Sequence, residues 1–188
     1  MIGIGYATNG NTDLAVDHLG RAVEYDSDNS EAWVALANIH KELGRHDLAI
    51  TTLKSGLEVI PDHPELSFLL SETLSMTGQR YNAHLAISGN TSYLHENPNR
   101  LQYYLDLLWE IQEFSELQEL VFYDNPSLNG QESVVYYRAK IFEMQDQLGS
   151  ALVEMERFLK NNTADKNVYE LYFFLLTEKT SAISIAVA

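Results

Sequence analysis

The stretch Ser30–His63, SEAWVALANIHKELGRHDLAITTLKSGLEVIPDH, reads as two helices joined by a tight turn. Trp33, Leu36, Ala37 and His40 recur at three- and four-residue spacing, which gathers them on one helix face. Leu43-Gly44-Arg45 stops that helix, with Gly44 supplying the left-handed residue favoured just past a helix end. Leu48, Ala49, Leu53 and Leu57 form a second apolar stripe of the same period, and Pro61 ends it. A helix with one apolar stripe gains most of its stability from packing, so each of these two needs a neighbour to cover it.

The pattern recurs at a step of about 34 residues. From Ala49 that step reaches Ala15, Ala83, Leu117, Ala151 and Ile185. The turn glycine recurs as Gly10, Gly44 and Gly78. A large residue late in the first helix recurs as Tyr6, His40, Leu74, Leu108, Phe142 and Leu176. A small-residue column starts well, with Gly3, Ala37 and Ser71, then runs Leu105, Ala139 and Phe173. Columns that hold phase along a whole chain are hard to obtain by chance.

The order Trp, Leu-Ala, ring, Gly, Ala, apolar, small, Pro resembles the tetratricopeptide repeat (TPR), a helix-turn-helix unit of about 34 residues. The resemblance implies an all-α, right-handed α-solenoid of about five TPR-like units, folded as a single domain over 1–188. The units fall near 1–29, 30–63, 64–97, 98–131 and 132–165, with a partial one at 166–188. The fourth unit is degenerate, because Leu105 and Leu117 stand where small residues are expected. Ile2, Gly3 and Tyr6 fall in the columns of a first helix whose opening turn is missing. The chain therefore reads as a fragment of a longer array. Ser30 is read as the cap of the second unit, and Asn90–Asn97 as a longer turn. Ser181–Ala188 is read as the start of a truncated partner helix that leaves an apolar face uncovered.

Composition narrows the function. The formal net charge is -15, from 27 acidic and 12 basic residues, which speaks against nucleic acid and anionic membrane partners. No apolar run approaches the ~20 residues that span a bilayer, and Met1-Ile2-Gly3-Ile4-Gly5 lacks the basic start and long apolar run of a secretory signal. Cytoplasmic placement is favoured over periplasmic. Cysteine is absent, which removes disulfides and thiolate metal sites. The six histidines form no helical pair with a carboxylate of the kind zinc requires. Gly3-Ile4-Gly5 with Gly10 lacks the third glycine and the preceding strand of a dinucleotide fingerprint. No nucleophile elbow or phosphate loop is present. No cofactor, no metal and no catalytic residue is expected, and the chain reads as a non-enzyme.

What remains is the groove. In TPR proteins the first helices of successive units line a concave face that binds peptides. On this chain the resemblance places Asn38, Lys41, Glu72, Tyr103, Asp106, Trp109, Tyr136, Tyr137 and Lys140 there. With Glu31, Glu42, Glu65, Glu110, Glu143 and Glu170 placed on the same faces, that lining is acidic, and it becomes aromatic toward the C-terminal half. Tyrosine and tryptophan offer large contact area with a polar handle. The expected partner is a protein or peptide with basic and apolar residues. The alternative for Tyr103, Tyr136 and Tyr137 is that they pack between helices. Some TPR domains clamp an acidic chaperone tail with lysine, asparagine and arginine. Asn38 falls in the matching column, but Ala35, Glu65 and Leu69 stand where the clamp needs polar or cationic groups, so no such clamp is expected. Two further readings stand beside the scaffold: a substrate-presenting region of a larger enzyme, such as a glycosyltransferase or sulfotransferase, and self-assembly as a homodimer through the C-terminal end.

Overall fold

The computed structural model describes residues 11–123, 125, 126 and 128–187, with side chains as far as Ser181. Gly3, Tyr6, Gly10 and the Ile185 side chain, all used in the repeat columns, lie outside the described residues. The described elements are helices: α1 (Thr12–Tyr25), α2 (Ser30–Glu42), α3 (His46–Val59), α4 (Pro64–Met76), α5 (Arg80–Ile87), a 3-10 turn (Ser88–Asn90), α6 (Thr91–His95), α7 (Pro98–Glu110), α8 (Phe114–Phe122), α9 (Glu132–Met144), α10 (Leu148–Leu159) and α11 (Lys166–Val187). No helix among the described residues is long and apolar enough to cross a membrane.

The step read in the sequence governs the helices as well as the columns. First helices begin at Ser30, Pro64, Pro98, Glu132 and Lys166, and second helices at Thr12, His46, Arg80, Phe114 and Leu148. Both series advance by 34 residues. Ala15, Ala49, Ala83, Leu117 and Ala151 are all fully buried. Leu105 and Leu117, the two oversized residues of the fourth unit, are buried as completely as the alanines. The α7–α8 pair accommodates them within the same architecture.

Each corner between first and second helix is built alike. Gly44, Gly78, Gln112 and Asp146 have φ of 69°, 79°, 64° and 58°. The next residue donates its N–H five residues back, from Arg45 to His40, Gln79 to Leu74, Glu113 to Leu108 and Gln147 to Phe142, at 2.8–2.9 Å. The left-handed residue itself donates three back, as Gly44 does to Lys41 at 3.0 Å. This pair of bonds satisfies carbonyls that a helix end would leave orphaned. A Cβ at Gly44 or Gly78 would meet nothing within 4 Å, so conformation rather than space asks for glycine there.

The chain packs as two compact units, Met1–Leu94 and His95–Ala188. In the first, α2 packs on α1, α3 and α4, and α4 on α5. Ala15, Leu19, Val23, Ala32, Leu36 and Ile39 form its opening core. Trp33 lies against buried Gly56, where a Cβ would stand 3.1 Å from the indole. Its Nε1 donates to the Ser27 carbonyl at 2.8 Å. The cap of α2 is Asn29, whose side chain accepts from the Ala32 N–H, and Ser30 is the first helical residue instead. In the second unit α9 packs on α7, α8, α10 and α11. Ala139, Ala151, Leu152, Met155, Val168, Leu171 and Leu175 form its core.

Two stretches differ from the sequence reading. The turn expected over Asn90–Asn97 contains the short helix α6. The expected break before Ser181 is also missing, since α11 runs on to Val187. Thr180 stands one repeat step after the corner residue Asp146. Its hydroxyl donates to the Leu176 carbonyl inside the helix. A β-branched residue resists the left-handed conformation, so nothing here turns the chain.

Gln112→Gly is expected to stabilise the chain by about 0.5–1 kcal/mol, because it relieves a left-handed side chain at a corner that is already formed. Asp146→Gly should gain less, since a short polar side chain tolerates this region better. Gly78→Ala should cost about 1–2 kcal/mol. Urea unfolding midpoints at unchanged slope read all three.

Candidate functional site

The aromatic half of the expected groove lies in the second unit, on α7 and α9. Five of the nine site residues come together there: Asp106, Trp109, Tyr136, Tyr137 and Lys140. Helical spacing explains the grouping, because Asp106 and Trp109 share a face of α7 while Tyr136 and Lys140 share one of α9. The Tyr137 hydroxyl donates to Asp106 Oδ1 at 2.5 Å, and Gln102 Nε2 donates to the same oxygen at 2.6 Å. Trp109 meets Tyr137 at 5.8 Å between ring centroids and Phe114 edge-on at 5.3 Å. Tyr136 stands edge-on to Tyr137 at 5.2 Å. Tyr137 is only 5% exposed, so it supports its neighbours more than it presents a surface. Trp109, Tyr136 and Lys140 are half-buried.

The remaining site residues sit elsewhere. Lys41 and Glu72, on α2 and α4 of the first unit, form an ion pair at 3.2 Å. Asn38 and Tyr103 are half-buried on α2 and α7.

Beside the aromatic cluster is a cleft of about 690 Å³. The N-terminal halves of α7 and α9, the start of α11 and the turns before α9 and α11 line it. Its polar groups include Asn99, Gln102, Asp106, Glu132, Asp165 and Asn167, and Tyr136 forms part of the wall. No lysine or arginine is among its described lining residues. Glu132 Oε1 accepts from the Asp165 N–H at 2.7 Å, which ties α9 to the turn before α11.

Burial raises the Asp106 carboxyl above its ordinary value of 3.8, and the Glu110 charge adds to this. The bonds from Tyr137 and Gln102 favour the charged form and offset the rise only in part. Burial likewise raises the Tyr137 phenol, reinforced by its bond to Asp106. The Tyr136 phenol is raised by burial first and then by the charges of Asp106, Glu143 and Glu170.

Sequence reasoning missed Arg138, which joins several elements of the second unit. Its Nε donates to the Val121 carbonyl in the last turn of α8. Nη1 donates to Glu154 Oε1 on α10 at 3.1 Å, and Nη2 to Asn129 Oδ1 at 2.5 Å. The guanidinium also lies 5.9 Å from the Phe122 ring centroid. One side chain thus ties α8, α9, α10 and the turn before α9. The Arg138 and Glu154 side chains are 12% and 15% exposed, so this ion pair is largely shielded. A lone arginine among tyrosines carried a faint signal, but its partners lie 9, 16 and 17 residues away and give no local pattern. His40, read as a packed core residue, is buried, and burial lowers its imidazole along with the nearby Arg45 charge. Among the described residues no group of three or more histidines and carboxylates is placed to hold a metal.

Helix pairs of constant step, closed by one kind of corner, define an α-helical repeat protein. Residues 6–72 match the tetratricopeptide repeat family, and over the described residues the chain has the fold of a TPR-like helical repeat array. PilF of Pseudomonas aeruginosa is 18% identical over 99% of this chain and 85% of its own, with a TM-score of 0.68. YrrB, a TPR protein with an unusual peptide-binding site, is 12% identical over 95% of this chain and 88% of its own, with a TM-score of 0.65. A chain of Naa15/Naa10 bound to HypK-THB is 16% identical, with a TM-score of 0.65. The match covers 93% of this chain but only 28% of that one, so this chain spans less than a third of that relative. No curated protein sequence matches the chain. At these identities the likeness to the solved structures is one of fold, and TPR folds generally mediate protein–protein interaction.

Arg138→Ala is expected to destabilise the chain by roughly 3 kcal/mol, because it removes three donor contacts at once and leaves the shielded Glu154 only the exposed Arg157 at 3.8 Å. Arg138→Lys should recover little, since an ammonium cannot serve three partners in a planar fork. Thermal unfolding with Glu154→Gln as the second arm of a double-mutant cycle tests the pair.

Asp106→Asn keeps the bonds from Tyr137 and Gln102, since both fall on one oxygen. A carboxyl raised in the folded state holds its proton more readily folded than unfolded. Its penalty on stability is absent below about 3.8 and grows as pH rises through the raised folded value. The asparagine variant should therefore gain on the wild type as pH rises from 3.8 to 7. Urea unfolding across that range measures the difference, and a gap that narrows with pH would contradict the assignment.

Proposed function

We propose that this chain is a non-catalytic protein-interaction scaffold. Its second unit holds a partner segment carrying basic and apolar residues in the cleft beside α7, α9 and α11. The observation that carries this reading is the lining itself. Asp106, Glu132 and Asp165 converge on one concavity that has no lysine or arginine among its described walls, and Tyr136 supplies aromatic area. A concave site with a few converging polar groups is the usual form of a binding site. An acidic wall favours a cationic ligand and speeds its encounter. The TPR fold and the peptide-binding site of the structurally similar YrrB support a peptide-like occupant.

The test is anisotropy with labelled 12-residue peptides, one set basic and apolar, one set acidic. Basic peptides are expected to bind in the micromolar range, about -8 kcal/mol, and to weaken as salt rises. Asn99→Lys with Asn167→Lys places two cations at exposed positions on the wall. That variant should lose about tenfold in affinity while its helicity is unchanged. Equal binding of acidic peptides, or no loss in the double variant, would refute the reading.

A further inference from the structure

Lys140 is placed in an unusual way for a lysine in an acidic setting. Its Nζ lies 4.3 Å from the Trp109 ring centroid and 5.9 Å from that of Tyr136. Both distances are within cation–π reach. Among the described residues no carboxylate pairs with this ammonium. Yet carboxylates crowd the site, since Asp106, Glu143 and Glu170 all act on the Tyr136 phenol. Two ring faces inside a negative field make an environment selective for a positive charge. Packing Trp109 against its neighbours does not by itself call for a cation, because an aliphatic side chain would fill the same space. Tyr136 also belongs to the wall of the 690 Å³ cleft. The cation site therefore adjoins the concavity in which a partner segment would lie.

We propose that Trp109 and Tyr136 form a subsite for a lysine or arginine side chain of the bound segment, and that Lys140 occupies it as an internal stand-in until the segment arrives. The proposal rests on the segment-binding reading and adds the chemistry of one of its contacts. Displacement has a physical route. Lys140 and Glu143 are three residues apart on α9, close enough for the ammonium to swing from the rings to that carboxylate. The incoming cation then takes over the ring faces, and Glu143 offsets the displaced ammonium. Self-occupancy lowers the apparent affinity for any external cation, because the free subsite is only fractionally available.

The experiment follows the Trp109 indole N–H by NMR while the full chain is titrated with N-acetyl-lysine methylamide. N-acetyl-norleucine methylamide serves as the neutral isostere. Lys140→Ala is expected to bind the lysine probe about fivefold more tightly than the wild type, because the competitor is gone. Lys140→Arg should remain no tighter than the wild type, and the norleucine probe should give no saturable shift. Equal affinity in the wild type and Lys140→Ala, or equal saturation by the neutral probe, would overturn the proposal. The wall variant Asn99→Lys with Asn167→Lys separates this from the segment reading. Peptides that bind the cleft with no Lys140→Ala gain would sink the subsite and leave the scaffold. A lysine-probe response in Lys140→Ala, with no peptide bound by any variant, would sink the segment reading and reduce the subsite to a bare cation site, which overturns the proposal as stated.

Discussion

One residue in the left-handed backbone conformation turns the chain at each of 44, 78, 112 and 146. The hydrogen bond that closes behind it fixes how the second helix of a pair returns along the first. The fully buried alanine column depends on that return. If the corner opened, Ala49 or Ala83 would lose the close approach that a methyl side chain permits. The first two of these corners use glycine, and the last two impose the same conformation on Gln112 and Asp146. The geometry is thus kept where the residue that makes it easy has been lost. Packing in the second unit must hold those corners against a local preference.

The second unit supplies that packing through polar ties as well as apolar area. Arg138 binds three elements through one guanidinium, and Glu132 binds the turn before α11. Buried Tyr104 donates to Glu116 across the α7–α8 pair. In the first unit the comparable ties are the Trp33 indole on Gly56, its Nε1 on the Ser27 carbonyl, and one partly exposed ion pair, Lys41 with Glu72. The two units reach one architecture by different chemistry, and the clustered carboxylates and rings belong to the second.

The architecture was legible because helical packing leaves a periodic mark. Alanine, glycine and proline at a fixed step mean the same thing wherever they recur, and Ser30–His63 contains one full period. The signal failed where the mark is conformational instead of chemical. Gln112 and Asp146 occupy the glycine column without resembling glycine. Thr180 occupies the next position and forms no corner, because its β-branched side chain resists the left-handed conformation that Gln112 and Asp146 adopt. Register put Asp106, Trp109, Tyr136, Tyr137 and Lys140 on one expected face, and these five side chains do touch one another. Register could not show that Tyr137 spends its hydroxyl on Asp106. It also gave no hint of Arg138, whose partners become neighbours only once the turn before α9 has its shape.

The strongly packed helix pairs join elements adjacent in sequence or next but one. That economy reaches into how the fold is attained. Closing a short loop costs little chain entropy, and the cost grows only slowly with length. Contacts so local place the chain among topologies that assemble quickly. What such an array asks of the chain locally is its corners, where a few dihedral angles are set before packing rewards them, and a left-handed Gln112 costs more there than glycine does.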